Sequence, residues 1–298
     1  MTHPYAREDY ARSLGHVGRA LAVPEWDSHV LVRATPAADR EDGIGPYPLA
    51  VLAGGSDVAA GLARLKAAGL VSVVLVLEDR LRPDMAALEA AFDFVRPFKS
   101  HYIFDRSLGS LAYGKHHRYE IRRALGRVSV SEIRLADHLA AWQELYGQLS
   151  ARHGLGGVHA FPPQHHQRLA ELDGVRTFAA FIEDRLAAAH VFVTHAGHAM
   201  SHLAASAAEG YANGAAYAVN DLAVSGLTDC EVINFGGGAG AADDPNDGLV
   251  RFKKGFSNRT APSYLCGAVL DPDAYRALSA GRETGFFPAY RAPRNEPA

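Results

Sequence analysis

The chain has 298 residues, 48% hydrophobic and 21% charged, with two cysteines and a formal net charge of −3. Such a chain folds as one large or two moderate domains without covalent staples, and so few cysteines point to a reducing, cytoplasmic setting. The composition excludes a membrane span, the N-terminal stretch reads as no secretory leader, and the balance of charge excludes a global positive field, so a polyanion must be held by a local patch.

The first hundred residues alternate between strand and helix patterns. HVLVRA (29–34) and YPLAVLA (47–53) read as strands. DVAAGLARLKAAGL (57–70) has the helical period, with Asp57 placed to cap its start. VSVVLVLE (71–78) is the continuous apolar run of a strand covered on both faces. MAALEAAF predicts a helix and SHYIFD (100–105) another strand. GKHHRYEIRRALGR predicts a helix with Lys115, Arg118, Arg122, Arg123 and Arg127 against a single Glu120. That face is either a contact for a nucleic-acid backbone or a solvated surface.

In the second half VSVSEI (128–133) alternates as a strand, and ADHLAAWQELYGQLSARH and PPQHHQRLAEL follow as helices, the second opened by proline. VRTFAAFIE, LAAAHVFVTH and HAMSHLAAS read as three strands joined by turns short enough for antiparallel hairpins. A helix over YANGAAYAVNDLAVSG leads to the strand CEVINF, a glycine-rich loop, the short helix DGLVRFKKGF, the strand APSYLCGAVL and a terminal helix DPDAYRALS. The order βααβββαβαβ is that of an N-acyltransferase fold of the GNAT type. The expected architecture is α/β with mixed sheets: a degenerate GNAT-like domain over 1–127 and a clearer one over 128–298.

The stretch FGGGAGAADDPNDGLVRFKKGF (235–256) decides the functional reading. Gly236, Gly238 and Ala241 formally satisfy a dinucleotide fingerprint, yet the continuation is turn chemistry and Asp243 and Asp244 would repel a pyrophosphate. No GK[ST] follows for a P-loop. In the helix beyond, Leu249, Phe252 and Phe256 share the spacing of an inward face, with Lys253 beside it and Lys254 farther round. Only five lysines occur in the chain, and two of them stand here.

A strand, GGG, then G-L-x-x-F-K-x-x-F, carried by Gly236–Gly238, Gly248, Leu249, Phe252, Lys253, Gly255 and Phe256, resembles the FemABX family of aminoacyl-tRNA-dependent peptidyltransferases. FKSHYIFD (98–105) with KHHRYEIRRAL (115–125) resembles the linking region of such proteins. The resemblance implies two GNAT-like domains and transfer of an amino acid from the 3′ end of a charged tRNA to an amine. It implies no covalent enzyme intermediate and no cofactor beyond the aminoacyl-tRNA co-substrate. Acceptors in the family are typically peptidoglycan precursors, and related enzymes in antibiotic pathways extend small peptides. It also assigns Phe252 and Lys253 to the tRNA end and the transferred ester. The chain is shorter than the cell-wall enzymes and lacks their helical hairpin, so a peptide or small-molecule amine is an equal candidate.

Aminolysis of an ester needs amine and ester held together, a proton removed and an oxyanion sheltered. Lys253 is the candidate for a phosphate or oxyanion, Phe252 for the terminal adenosine, and Arg251 and Lys254 for further phosphates. Arg118, Arg122, Arg123 and Arg127 are candidates for the tRNA backbone. Asp105, with Tyr102 expected earlier on the same face of that strand, is the candidate base or amine-orienting pair; its alternative is a helix cap. The rival donor is acetyl-CoA, whose cradle would fall on Tyr211-Ala-Asn-Gly214-Ala-Ala216, where tyrosine replaces the usual arginine or glutamine. His202 is a candidate cleft histidine. Zinc-site spacings and nucleophile elbows are absent, so no metal is expected. A third class is a non-catalytic RNA-binding protein on the same fold.

Overall fold

The computed structural model describes residues 2–37, 39–52, 54–239, 247–282 and 285–292. The chain packs as two units, one of residues 1–98 with 262–298 and the other of residues 99–261.

In the first unit α1 (Glu8–Ser13) precedes β1 (Arg19–Val23), β2 (Ser28–Ala34) and β3 (Glu41–Ile44), which pair antiparallel in sequence order. α2 (Val58–Ala67) crosses over to β4 (Ser72–Glu78), parallel to β3 with Gly43 opposite Val73. Asp57 starts α2 as expected, accepting from the Ala60 amide at 2.9 Å. α3 (Met85–Ala91) follows, and β5 (Phe94–Asp105) carries the chain out of this unit. The core gathers Trp26, Leu62, Leu65, Val73, Leu75 and Leu77, with Gly61 leaving room for the Trp26 ring.

The second unit holds α4 (Lys115–Leu125), β6 (Ser129–Ile133), α5 (Leu139–His153), α6 (Pro163–Glu171), β7 (Val175–Ile182), β8 (Arg185–His195) and β9 (His198–Ser206). β6 to β9 form an antiparallel ladder in sequence order. α7 (Ala208–Ala212) and α8 (Ala215–Gly226) lead to β10 (Val232–Asn234), which lies parallel to β9 and antiparallel to β5. α9 (Gly248–Lys254) follows. Ala215, Ala218, Val219 and Ala223 of α8 pack with Phe178, Phe192 and Phe235, which is why α8 is rich in small residues. The chain then returns to the first unit as β11 (Arg259–Val269), antiparallel to β4 with Cys266 opposite Leu75, and ends in α10 (Pro272–Ser279).

Both units follow one plan. Antiparallel strands lead through a crossover helix to a parallel strand: β3–α2–β4 in the first, β9–α8–β10 in the second. A further antiparallel strand is contributed by the other half of the sequence, β11 in the first unit and β5 in the second. The second half is thus not a self-contained 128–298 block. Residue 127 falls inside the second unit, because α4 packs Ile121 and Ala124 into the same core as α8.

Several elements differ from the sequence reading, which did not anticipate α1 or β1. Residues 47–52 of YPLAVLA form no strand, although 49–52 are buried: Pro48 has no N–H to give a ladder. Isolated bonds hold the segment instead, from Ala50 N to Val76 O and from Leu52 N to Leu81 O, both 2.8 Å, and from the Tyr10 hydroxyl to Tyr47 O. The third strand of the first unit is instead the polar Glu41–Ile44. The helix expected over 211–226 breaks at Gly214, whose φ of +70° ends α7 and opens α8.

Candidate active site

β9 and β10 pair over only three steps, Val232–His198 to Asn234–Met200, after which β10 turns away and β9 continues to Ser206. The turn is built by Asn234, fully buried, whose Oδ1 accepts from the Gly236 amide (2.8 Å) while its Nδ2 meets His101 Nδ1 at 3.1 Å. Gly236 has φ +73°, a conformation that favours glycine. The turn presents two successive carbonyls to two lysines. Lys253 Nζ donates to Gly237 O at 2.6 Å, and Lys99 Nζ donates to Gly238 O at 3.0 Å. Lys253 is half-buried. Burial, and next the charge of Lys99, push its pKa down to about 8 against the opposing pull of Asp247. Asp247 also starts α9, accepting from Leu249 N (2.9 Å) and Ala239 N (3.0 Å).

Phe252 stands beside Lys253 at the edge of the core. Its ring meets Tyr217 of α8 edge-on (4.9 Å, 78°) and Phe256 at 5.1 Å. His117 of α4 approaches the Phe252 carbonyl through Nε2 at 2.9 Å. The expected inward face of α9 is rotated: Leu249 is 39% exposed, while Val250, at 7%, is the buried residue. Phe256 is fully buried but lies past the helix end, so helical spacing did not apply to it.

Below the parting strands lies a polar chain that sequence reasoning missed. Asn220 Oδ1 meets His190 Nδ1 at 3.0 Å, and His190 Nε2 meets Ser201 Oγ at 2.7 Å. His190 is buried and Ser201 half-buried. Lys99 was also missed, although the scarcity of lysine that singled out Lys253 applies to it equally. Asn220 had a signal too, as a polar residue at the helical spacing of Ala215, Ala218, Val219 and Ala223.

The other sequence candidates scatter. Asp105 accepts from Ser107 N (3.1 Å) and Ser107 Oγ (2.6 Å) and pairs with Arg259 (2.8 Å), bonds that lower its pKa. It caps a turn at residues 106–108, the alternative role considered for it. It is opposite Val232, at the other end of β10 from the loop that Lys253 meets. Tyr102 is three residues from Asp105, so the two face opposite sides of β5; Tyr102 packs in the core with Phe104. His202 is buried on the face of β9 away from Ser201, 5.8 Å from His165, with its pKa pushed to about 3 by burial. No group of three His, Cys, Asp or Glu among the described residues is placed to hold a metal ion.

Arg251 and Lys254 are exposed on α9 beside Lys253. Arg118, Arg122 and Arg127 are exposed, and Arg118 donates to Tyr113 O at 3.1 Å. Arg123 is turned inward to Glu120 (2.7 Å) and Ala212 O (2.9 Å). Tyr211 is 55% exposed under the Arg152 guanidinium, 4.6 Å from its ring centre. At Gly214, where a CoA cradle was expected, Glu120 Oε2 would stand 3.5 Å from a Cβ, an acid where a pyrophosphate needs donors.

The stretch holding the antiparallel strands β6 to β9, the crossover helix α8 and the parallel strand β10 is matched by a family model. Residues 115–239 match the acetyltransferase (GNAT) domain. The fold is GNAT. The match begins with α4 and ends in the glycine loop, so α9 with Lys253 lies beyond it. Solved structures extend the likeness to most of the chain. FemX has a TM-score of 0.66 at 12% identity, covering 93% of this chain and 95% of that one. The C-terminal domain of a protein assigned as a lysylphosphatidylglycerol synthetase from Agrobacterium fabrum has 0.62 at 14%, covering 90% and 89%. L-PGS from Bacillus licheniformis has 0.55 at 13%, covering 89% and 93%. At these identities the fold is what is shared, and that fold is FemX-like with two GNAT-like units. Comparison with curated protein sequences finds no match.

Proposed function

We propose that the chain transfers an aminoacyl group from aminoacyl-tRNA to an amine acceptor, forming an amide bond. The observation that carries this reading is the meeting of Lys99 and Lys253 at the Gly237 and Gly238 carbonyls, beside the point where β9 and β10 part. Two ammonium groups drawn to one loop repel each other, and an anionic ligand relieves that repulsion. A terminal phosphate of the donor fits there, and Lys253 is then placed to stabilise the oxyanion formed as the amine attacks. Phe252, with Tyr217 edge-on to it, offers an aromatic surface for a terminal base. Arg251 and Lys254 on α9, and Lys115, Arg118 and Arg122 on α4, are exposed cations for the backbone. The likeness to FemX and to proteins named for lysylphosphatidylglycerol synthesis supports an aminoacyl donor. Neither Asp105 nor His202 has a part in this reading, because neither shares the site with Lys253.

The GNAT domain match favours a second donor, acyl-CoA. Glu120 beside Gly214 disfavours it. Transfer from a mixed pool of radiolabelled aminoacyl-tRNAs to a panel of amines, run beside labelled acetyl-CoA, separates the two. RNase-sensitive incorporation supports the tRNA reading. Labelling from acetyl-CoA alone assigns the second donor.

A further inference from the structure

Ser201 is the first residue of β9 beyond the stretch paired with β10, since the last pair is Asn234 with Met200. Its side chain lies on the same side of the strand as Ala199, towards α8. There its Oγ is 2.7 Å from His190 Nε2. The far nitrogen, His190 Nδ1, is 3.0 Å from Asn220 Oδ1, and Asn220 Nδ2 is spent on Ala216 O at 2.8 Å. With its amide nitrogen so used, Asn220 offers His190 an acceptor, which fixes the imidazole proton on Nδ1. Nε2 therefore carries a lone pair and accepts the Ser201 hydroxyl hydrogen. The hydroxyl is left with its oxygen lone pairs free for a ligand, and Ser201 is only half-buried. This is the order of groups that activates a hydroxyl: hydroxyl, base, and a third group that orients the base.

We infer that Ser201 is a further catalytic residue of the acyl transfer, receiving the proton of the incoming amine and handing its own to His190, with Asn220 as a positioning residue. This rests on the reading of the site as an amine acyltransferase, with either donor. As the amine nitrogen bonds to the acyl carbon, its proton moves to Ser201 Oγ while the Oγ proton moves to His190 Nε2. When the ester or thioester bond breaks, the imidazolium returns its proton through Ser201 to the departing oxygen or sulfur. No covalent bond to the enzyme forms, and nothing is oxidised or reduced. The groups facing His190 are Lys253 from α9, whose charge acts on it, the neutral Asn220 and Ser201, and the rings of Phe192 and Phe235. Burial first, then Lys253, hold the resting imidazole neutral, its pKa pushed to about 3, so the proton it takes up is held only in passing and is returned as the donor bond breaks.

The test is single-turnover and steady-state transfer by wild type, Ser201→Ala, Ser201→Thr, His190→Gln and the Ser201→Ala/His190→Gln double variant, with charged tRNA and, separately, acyl-CoA as donor. The expected result is a loss of about 100-fold or more in kcat for Ser201→Ala with acceptor KM within threefold, consistent with general acid–base catalysis. Ser201→Thr, which keeps a hydroxyl in a strand, is expected within tenfold of wild type. The double variant is expected to be no slower than the worse single variant, because the residues act as one unit. Wild-type kcat in Ser201→Ala, or additive losses in the double variant, overturns the inference. Transfer from acyl-CoA but not from charged tRNA overturns the tRNA donor alone, and the Ser201 comparison then stands on the acyl-CoA rates.

Discussion

Gly255 lies directly against the ring of His117, with no room for a Cβ between them. The same ring reaches the Phe252 carbonyl at 2.9 Å, so one histidine of α4 fixes where α9 ends and where Phe252 and Lys253 stand. A methyl group at position 255 must displace either the ring or the helix. Gly255→Ala is expected to cost about 1–3 kcal/mol, the range for overpacking, measured by denaturant unfolding. Removing the ring as well, in Gly255→Ala/His117→Ala, is expected to cost less than the sum of the single changes.

Lys253 carries its charge only below a pKa of about 8. Donor affinity that depends on this ammonium is expected to fall as pH rises through that value. Lys99→Gln removes a repelling charge, so the same fall should move to higher pH, readable in donor Kd against pH. For stability the sign is opposite. Lys253 titrates lower in the folded than in the unfolded chain, so between about 8 and the ordinary lysine range the unfolded chain binds more protons. Its contribution to stability therefore rises with pH across that window.

How legible the candidate residues were in the sequence differs by residue. Lys253 and Phe252 were picked out as candidates because the glycine run and the aromatic–lysine pair fall within one short stretch of sequence. The roles of Asp105 and Tyr102 were not legible, because a carboxylate at a strand end has the same local sequence whether it caps a turn or takes a proton. The Ser201–His190–Asn220 chain joins three elements and leaves no short-range pattern. The fold was read from strand order and hairpin turns, which are local. That β11 joins β4, and β5 joins β10, is set by long-range pairing, so the domain boundary could not be placed from composition.

Among the histidines with lowered pKa values, three buried ones contribute most to the response to acid. His166 pairs with Trp142 Nε1 at 3.0 Å and is pushed to about 4, and His190 and His202 to about 3, all first by burial. Each has a folded pKa below its unfolded value, so the unfolded chain binds more protons between about 6.5 and those values. Stability is expected to fall as pH drops below about 6.5, by roughly 1–2 kcal/mol per histidine at pH 5. Urea titrations at pH 7 and pH 5 check this, and His202→Gln should flatten the difference.

Lys115, Arg118 and Arg122 are exposed at helical spacing on α4, with Tyr119, 63% exposed, among them. If this face meets the donor's backbone, Arg118→Ala and Arg122→Ala lower affinity for all charged tRNAs alike. Each also reduces the slope of log affinity against log salt by about one. Filter binding across a salt series measures both. Arg123→Ala should instead act on stability, since its guanidinium is engaged with Glu120 and Ala212.

The central claim is that the Lys253 ammonium at the glycine loop serves acyl transfer, and one measurement tests it most directly. Wild type and Lys253→Ala, matched in unfolding midpoint, are compared in single-turnover transfer from aminoacyl-tRNA to the accepting amine. A loss of about 100-fold or more, the scale for removing one oxyanion or phosphate contact, is the predicted result. Transfer by Lys253→Ala at the wild-type rate would contradict it.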